Sequence, residues 1–327
     1  MIIQTIATTI VLSFTLKFGA LSPEGSSYMN IANQLKNDFE KYTEGKVKIA
    51  WYAGGVMGDE PEMVRKIRMG QLHGGGFTGY GLGAIDGIVR MMELPGLFKS
   101  YDEFYHALKI LEPEIKQKFN EKGFELLAYF PIGFVYIFSQ KEINKLDDFN
   151  GVKLWVWAGD PVAGELAQSL RGYAQLVNLS IADVLTGLQT GMINSFYNLP
   201  YGAMALQWTN HTKYMLDYPV TLATGGVVIS TKALEKLTED QRKYLKELIQ
   251  KRFQEASRAL VQENEKAIEE FKKKGIKFTR VDENSPEIKK LLEVFKKVHE
   301  KFKGELYSSQ AYDKLMKIIE DYRKTKK

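Results

Sequence analysis

Apolar and polar positions in the first two thirds of the chain alternate between a period of two residues and a period of three to four. Strand-like runs include "LKFGAL", "KVKIAWYA", "VKLWVWA", "YAQLVN", "SFYNL" and "TLATGGVVIS". Helix-like runs such as "PEMVRKIRMG", "EFYHALKILEPEIKQKFNEKG" and "SIADVLTGLQTG" separate them. The run "FELLAYFPIGFVYIFS" is long enough for one strand, or two, passing between domains. This alternation predicts an α/β fold with a parallel-rich sheet.

The last third of the chain predicts one long helix. Thr238 and Gln241 have the spacing of a capping box, and Gly275 marks the end. The apolar stripe between them comprises Leu245, Ile249, Phe253, Ala256, Leu260, Asn264, Ala267 and Phe271. At a rise of ~1.5 Å per residue the helix is about 50 Å long, so we expect it to span two domains.

Two of the four tryptophans of the chain stand in one short strand-like run, "GVKLWVWAGDP". Residues at i and i+2 of a strand point to the same face. Trp155 and Trp157 should therefore project together, on the same side as Lys153. This pair of indoles serves either core packing or ligand binding.

Composition and charge are those of an ordinary globular protein of about two domains. The chain has 327 residues, of which 44% are hydrophobic and 26% charged. The net charge of +5 arises from 45 basic and 40 acidic residues. Basic residues near the C-terminus alternate with acidic ones, as in "KKLLEVFKKVHEKFKGE", which is typical of a solvated helix face and not of a nucleic-acid-binding surface.

The chain lacks the residues for several kinds of chemistry. It contains no cysteine, which excludes disulfides, thiolate metal sites and thiol catalysis. The four histidines are scattered, so local spacing assembles no zinc or iron site. We therefore predict neither a metal nor a cofactor.

A glycine-rich run is the strongest candidate for catalysis. "HGGGF" resembles an esterase oxyanion loop, but no GxSxG nucleophile motif accompanies it. "GGGFTG" matches GxGxxG, but it follows a charged helical segment instead of a strand, so we predict a close-packed turn. An enzyme that uses the loop from Gly74 to Gly81 remains a remote alternative, because no nucleophile, base or metal set accompanies it.

The N-terminal residues 1–14 have two interpretations. The run is apolar but has no basic residue before Lys17. It is either the remnant of a truncated signal peptide or the lead-in to a buried first strand. It is too short to span a membrane, and no later segment reaches about 18 uninterrupted apolar residues.

An ordered set of segments resembles a known family. These segments are "LKFGALSPEGSS", "TEGKVKIAWYAGGVMGDEPEMVRKIRMGQL", "LPGLF", "LDDFNGVKL" and "LTGLQTGMINSFYNLP". Together, over residues 16–325, they resemble the extracytoplasmic solute-binding proteins of TRAP (tripartite ATP-independent periplasmic) transporters, the dicarboxylate-binding DctP family.

The resemblance implies a two-lobed periplasmic-binding-protein-like fold. Crossing strands join the lobes, a long C-terminal helix spans both, and the ligand lies in the cleft between them. The expected lobe I comprises residues 15–130 plus 218–262, and lobe II comprises residues 131–217 plus 263–327. The resemblance also implies a periplasmic protein without catalytic activity, which closes on its ligand and delivers it to integral membrane subunits. We expect a monomer.

The sequence departs from the family pattern at expected ligand contacts. The family strand reads G-x-K-x-R-x-P, and its arginine binds the ligand carboxylate. In "GVKLWVW" the arginine position is Trp155 and the proline position is Trp157. Three further cleft positions are Leu21, Thr78 and Val135. Some relatives have an acidic residue near the position of Thr78, and some have a second arginine at the position of Val135. A retained asparagine is Asn198.

Aromatic residues accumulate along the expected cleft. Beside Trp155 and Trp157, the candidate ligand contacts are Tyr80, Tyr136, Phe196, Tyr197, Tyr201 and Trp208. A buried carboxylate without a cation is unfavourable, so these residues predict an apolar, aromatic or amphipathic ligand with a polar end near Asn198. The alternative is a small organic acid held by Lys153 or by backbone donors.

Overall fold

A computed structural model describes residues 13–280 and 285–326. The strands are β1 (Phe14–Gly19), β2 (Val47–Tyr52), β3 (Gly74–Thr78), β4 (Phe124–Ser139), β5 (Lys153–Trp157), β6 (Gln175–Leu179), β7 (Ser195–Asn198), β8 (Tyr214–Leu216), β9 (Thr221–Ser230) and β10 (Lys277–Thr279). The helices are α1 (Ser27–Tyr42), α2 (Glu60–Arg68), α3 (Gly79–Gly83), α4 (Tyr101–Glu121), α5 (Pro161–Gln168), α6 (Val184–Gln189), α7 (Pro200–Ala205), α8 (Thr231–Leu234), α9 (Glu239–Lys273), α10 (Pro286–Phe302) and α11 (Ser309–Thr325).

The strands form two sheet halves that share β4. The strand order is β2-β1-β3-β9-β4-β7-β5-β6, and β8 joins β4 to β10. We define lobe I by β2, β1, β3, β9 and the first part of β4, and lobe II by the end of β4 with β7, β5, β6, β8 and β10. Pairing is parallel for β1 with β2 and β3, and for β5 with β6 and β7, whereas β9 pairs antiparallel with β3 and β4. The predicted α/β fold is confirmed.

The strand β4 crosses from one lobe to the other, with β9 beside it. The strand β4 pairs with β9 from Phe124 to Val135 and with β7 from Tyr136 onward. Its pairing with β9 is interrupted between Pro131 and Gly133, where Gly133 has φ +146. Such an irregularity bends a strand, and here it lies where β4 leaves lobe I.

The helix α9 is the long element that the sequence predicts. Thr238 Oγ1 accepts a hydrogen bond from the Gln241 N–H, and Gln241 Oε1 accepts one from the Thr238 N–H, which completes the capping box. All eight residues of the predicted stripe are buried. Its first part packs in the lobe I core, while Ala267 and Phe271 pack in the lobe II core. The helix therefore spans both lobes, as predicted.

The last two helices do not pack in lobe II alone: α10 contacts α5 and places Phe295 in a lobe II core, but its end and α11 pack on lobe I. Val298, Phe302, Leu315 and Ile319 belong to the same hydrophobic core as α4 of lobe I. The sequence-based division placed them in lobe II with the rest of residues 263–327. The difference arises because α11 returns and packs its apolar face against α4, which chain order alone does not reveal.

The glycine-rich run forms a strand and not the predicted turn. Gly74–Thr78 is β3, which pairs with β1 and β9 at the centre of the lobe I sheet. Glycine is required there by close packing, since a Cβ at Gly76 would overlap the Tyr28 hydroxyl.

The helices of the described residues include none that is both long and apolar enough to cross a membrane. The proposed signal remnant lies almost entirely outside the described residues, although Phe14 already belongs to β1.

Candidate ligand-binding site

A cavity of about 570 Å³ lies between the two lobes beside the crossing strands. Its volume is typical of a site for a small organic molecule. Lobe I contributes the loop after β1, the start of α2 and the junction of β3 with α3. Lobe II contributes β5, α5 and the junction of β7 with α7.

Most of the side chains that the sequence singles out meet in this cavity. Its lining includes Leu21, Thr78, Tyr80, Val135, Trp155, Trp157, Tyr197, Asn198 and Tyr201. Three further candidates are not among the lining residues. Phe196 and Trp208 lie in the lobe II core with their rings 5.2 Å apart, and Tyr136 packs against that core. Phe196 points away from the cavity because it alternates with Tyr197 along β7.

The two tryptophans of β5 have different neighbours. Trp155 is 2% exposed, stacks on Tyr197 with 4.9 Å between ring centroids, and donates from Nε1 to the Leu179 carbonyl at 3.0 Å. Trp157 donates from Nε1 to Asp59 Oδ2 in lobe I, also at 3.0 Å. Trp155 is thus held rigidly within lobe II, whereas Trp157 joins the lobes.

Glu60 is a buried carboxyl group in the lobe I wall. Thr78 donates to it from the backbone N–H at 2.7 Å and from Oγ1 at 2.6 Å, and the Gly81 N–H donates at 2.7 Å. Burial raises the pKa of Glu60 to about 7 despite these hydrogen bonds. Glu60 therefore exists in both protonation states near neutral pH.

Arg90 lies in the cavity wall between two carboxylates. Its Nη1 donates to Glu93 Oε2, and its Nη2 donates to Asp160 Oδ1 at 2.7 Å. Burial by itself lowers the pKa of Arg90, but Asp160 and Glu93 raise it above its ordinary value. Glu93 also accepts from the Thr224 N–H at 2.6 Å. The guanidinium therefore carries its positive charge, and the carboxylates of Glu93 and Asp160 compensate that charge.

Three hydrogen bonds connect the lobes around the cavity. They are Arg90 to Asp160, Trp157 to Asp59, and the Tyr80 hydroxyl to the Ala158 carbonyl at 3.0 Å. Tyr80 also contacts Trp157, with 5.1 Å between ring centroids. The structure is therefore that of lobes closed on each other.

Asn198 and Lys153 are the two polar groups considered from the sequence as ligand donors. Asn198 Oδ1 accepts from the Leu199 N–H at 2.7 Å, which leaves its amide N–H groups without a hydrogen bond among the described residues. Lys153 is not among the lining residues, and its Nζ donates to the Gly191 carbonyl at 2.9 Å. Asn198 is therefore the one placed to donate to a ligand.

Sequence reasoning missed Asp59, Glu60, Arg90, Glu93 and Asp160 as cavity residues. A signal existed for two of them, because Arg90 and Glu93 interrupt the apolar run "IVRMMELPGLF". Charges inside such a run are either exposed or paired in the interior. The other three had the appearance of helix caps and first-turn acids, which Asp59 and Asp160 also are.

The described residues contain no group of three or more His, Asp or Glu side chains that could hold a metal ion. The carboxylates of the cavity are thus spaced by their own hydrogen bonds and do not converge on one point.

Comparison with known proteins assigns the chain to a family. The family model described as bacterial extracellular solute-binding protein, family 7 (DctP), matches residues 18–305. A protein of uncharacterised function from Haemophilus influenzae is 29% identical over 231 residues, which are 66% of this chain but only 65% of that relative. The C4-dicarboxylate-binding periplasmic protein DctP of Rhodobacter capsulatus is 23% identical over 84% of this chain and 80% of its own.

A solved structure has the same fold. The TRAP periplasmic solute-binding protein of Pseudomonas putida with bound D-glucuronate superposes with a TM-score of 0.82 at 22% identity, over 94% of this chain and 97% of that one. Because the family model matches most of the chain, an enzyme built on the glycine-rich segment is excluded. The chain belongs to family 7 (DctP) of the bacterial extracellular solute-binding proteins.

Proposed function

We propose that this protein captures a small apolar, aromatic or amphipathic organic ligand between its lobes and delivers it to the integral membrane subunits of a TRAP transporter. The observation that carries the proposal is the place of Trp155. It lies in the cavity wall, at the position where the family resemblance puts the arginine that binds a ligand carboxylate. An indole offers apolar area and no charge.

The rest of the cavity wall supports the same ligand class. Aromatic rings from both lobes line it, among them Tyr80, Trp157, Tyr197 and Tyr201. Aliphatic groups such as Leu21 and Val135 complete the apolar surface. The free amide N–H groups of Asn198 would bind one polar end of the ligand. We expect the protein to act as a monomer, which light scattering during size-exclusion chromatography would check.

A small organic acid is the second candidate, because the Pseudomonas putida neighbour holds D-glucuronate and the Rhodobacter capsulatus relative binds C4-dicarboxylates. Lys153 lies outside the cavity wall, so the donors for an acid would be Asn198 and backbone N–H groups. Arg90 lines the cavity but is occupied by Glu93 and Asp160.

Native mass spectrometry of gently purified protein, followed by thermal-shift screening, separates the two candidates. A ligand at 100 times its Kd stabilises the folded state by about 2.7 kcal/mol, which raises the Tm by a few degrees. We expect aromatic and amphipathic compounds to raise the Tm and dicarboxylates and sugar acids to leave it unchanged. The reverse result would refute the proposal.

The variant Trp155→Arg tests the residue on which the proposal depends. We expect it to move the preference towards carboxylates, because an arginine forms charge-assisted hydrogen bonds with them. Trp155→Phe is the matched control, since it retains an aromatic ring without adding charge. Unchanged selectivity in a folded Trp155→Arg protein would mean that Trp155 does not contact the ligand.

A further inference from the structure

The charges in the cavity wall are strongly unequal. Among the described residues that line the cavity, Asp59, Glu60, Glu93 and Asp160 carry carboxyl groups, and Arg90 is the only lysine, arginine or histidine. Two carboxylates are bound to Arg90. The cavity wall therefore has a net negative charge, whichever protonation state Glu60 adopts.

This arrangement opposes an anionic ligand. Nη1 and Nη2 of the guanidinium already bind Glu93 and Asp160, whereas Nε is buried without a hydrogen bond among the described residues. A ligand carboxylate that bound Nη1 or Nη2 in their place would displace one of these two groups. The displaced group would then be a buried carboxylate without its cation, which is strongly unfavourable. Glu93 would also have to give up its hydrogen bonds from Thr224.

Asp59 is the carboxylate that remains available. Its oxygens accept hydrogen bonds from the Glu60 N–H at 2.7 Å and from Trp157 Nε1 at 3.0 Å. No lysine or arginine within the described part of the chain forms an ion pair with it. Each carboxylate oxygen has a second lone pair for a further donor.

Aromatic rings stand beside Asp59 in the same wall. The indole of Trp157 is hydrogen-bonded to Asp59. The centroid of the Tyr80 ring lies 5.1 Å from the centroid of the Trp157 ring. The faces of Trp and Tyr rings attract organic cations. A carboxylate next to two such rings is the chemistry that recognises an ammonium group.

A buried hydroxyl group in the lobe I wall lacks a hydrogen-bond partner among the described residues. The Tyr28 hydroxyl is buried and forms no hydrogen bond within the described residues, although Tyr28 lines the cavity. Buried polar groups without partners are rare in proteins. The hydroxyl lies against Gly76 of β3, so it is an unsatisfied polar group within the lobe I wall.

We propose that the ligand carries a single positive charge on its apolar or aromatic body, and that its ammonium group lies against Asp59 beside the contacting rings of Trp157 and Tyr80. The proposal rests on the proposed function, since it names the charge of the ligand that the same cavity binds. A metal ion is not the complement of these carboxylates, because in the described residues they do not cluster as ligands.

Three probes with one indole skeleton test the charge. Tryptamine, tryptophol and indole-3-acetate place an ammonium, a hydroxyl and a carboxylate at similar positions, and isothermal titration calorimetry compares their affinities for the wild-type protein. We expect the affinity for tryptamine to exceed that for tryptophol by about tenfold or more. Indole-3-acetate should have the lowest affinity of the three. This ranking requires no variant.

The variant Asp59→Asn locates the charge. Asparagine caps helices as well as aspartate, so α2 should persist, and we expect tryptamine and tryptophol to bind the variant about equally. Asp86→Asn is the matched control, because Asp86 also caps a helical turn, through the Ile88 N–H, but does not line the cavity. It should keep the preference for tryptamine.

The possible outcomes separate this inference from the proposed function. If indole-3-acetate binds most tightly, or if tryptamine and tryptophol bind wild type equally, the ligand is not selected for positive charge, while an apolar site remains supported. If none of the three binds and D-glucuronate does, the proposed function fails as well. A neutral or anionic ligand extracted from the purified protein would also overturn the positive charge, and a cationic one would support it.

Discussion

Glu60 shows how one residue in the cavity wall couples stability to pH. It is 1% exposed and accepts three hydrogen bonds from Thr78 and Gly81. Hydrogen bonds to a carboxylate favour its charged form, but burial disfavours that form more strongly, and the result is a pKa of about 7. In the sequence, Glu60 beside Asp59 has only the appearance of an acid at a helix cap or turn.

We expect the contribution of Glu60 to the stability of the fold to fall as the pH rises from 5 to 8. The pKa of Glu60 is about 7 in the folded state and ordinarily 4.5. Its stabilising contribution is therefore complete below pH 4.5 and is lost as the pH rises through 7, by up to about 3 kcal/mol. Urea unfolding of wild type and Glu60→Gln at both pH values measures this change.

The Glu60→Gln variant should lose that part of the pH dependence. Glu62→Gln is the control on the same helix, because Glu62 is paired with Arg65 at the surface and its pKa is lowered, not raised. Equal pH dependence in wild type and Glu60→Gln would show that Glu60 titrates below this range.

At the scale of elements, β4 and α9 determine where the cavity lies. Asn264, the polar member of the apolar stripe of α9, donates from Nδ2 to the Ile132 carbonyl at 2.9 Å and accepts from the Tyr201 N–H at 3.0 Å. One side chain thus joins the crossing strand, the long helix and α7. Its position in the stripe was evident from periodicity, but its hydrogen-bond partners are distant in sequence.

Replacement of Asn264 by leucine should destabilise the protein. The change leaves a buried carbonyl at Ile132 and a backbone N–H at Tyr201 without partners, each at a cost of about 1–3 kcal/mol. Urea unfolding measures the loss, and Gln262→Leu, at an exposed position of the same helix, is the control. A loss no larger than in the control would show that water or a rearrangement replaces these bonds.

Local sequence patterns predicted the secondary structure more completely than they predicted the tertiary contacts. The strand "TLATGGVVIS" and the long helix with its cap were predicted from side-chain period and capping chemistry, and both are present as β9 and α9. The glycine run was predicted as a turn and is β3, because its neighbours Phe18 and Tyr28 come from elsewhere in the chain.

At the scale of the whole molecule, three hydrogen bonds beside the cavity join the lobes within the described residues. The pair of Arg90 and Asp160 joins lobe I to the start of α5, and both side chains are buried. Trp157 and Tyr80 add one hydrogen bond each across the cavity. Ligand-linked closure requires that such contacts form only when the lobes meet.

The variant Asp160→Asn should weaken closure and hence ligand binding. Asparagine can still cap α5 but no longer forms an ion pair with Arg90, which retains Glu93. We expect the affinity for the ligand retained on purification to fall about tenfold or more, and the radius of gyration from small-angle X-ray scattering to increase.

Asp38→Asn is the control for this change, because Asp38 pairs with Arg252 within lobe I. It should leave both affinity and radius of gyration unchanged. If Asp160→Asn has the same radius of gyration and the same ligand affinity as wild type, the Arg90–Asp160 pair does not stabilise the closed state.

By itself, the sequence determined the α/β class, the family and most of the elements, with β3 as an exception, because side-chain period, caps and ordered motifs are local properties. Through the family resemblance and the aromatic content it also singled out twelve candidate ligand contacts, of which nine line the cavity. Only the tertiary structure decided that Phe196 and Trp208 belong to a core and that Arg90, Glu93 and Asp160 meet. These outcomes depend on burial and on pairing between distant segments, and the charge of the cavity follows from both.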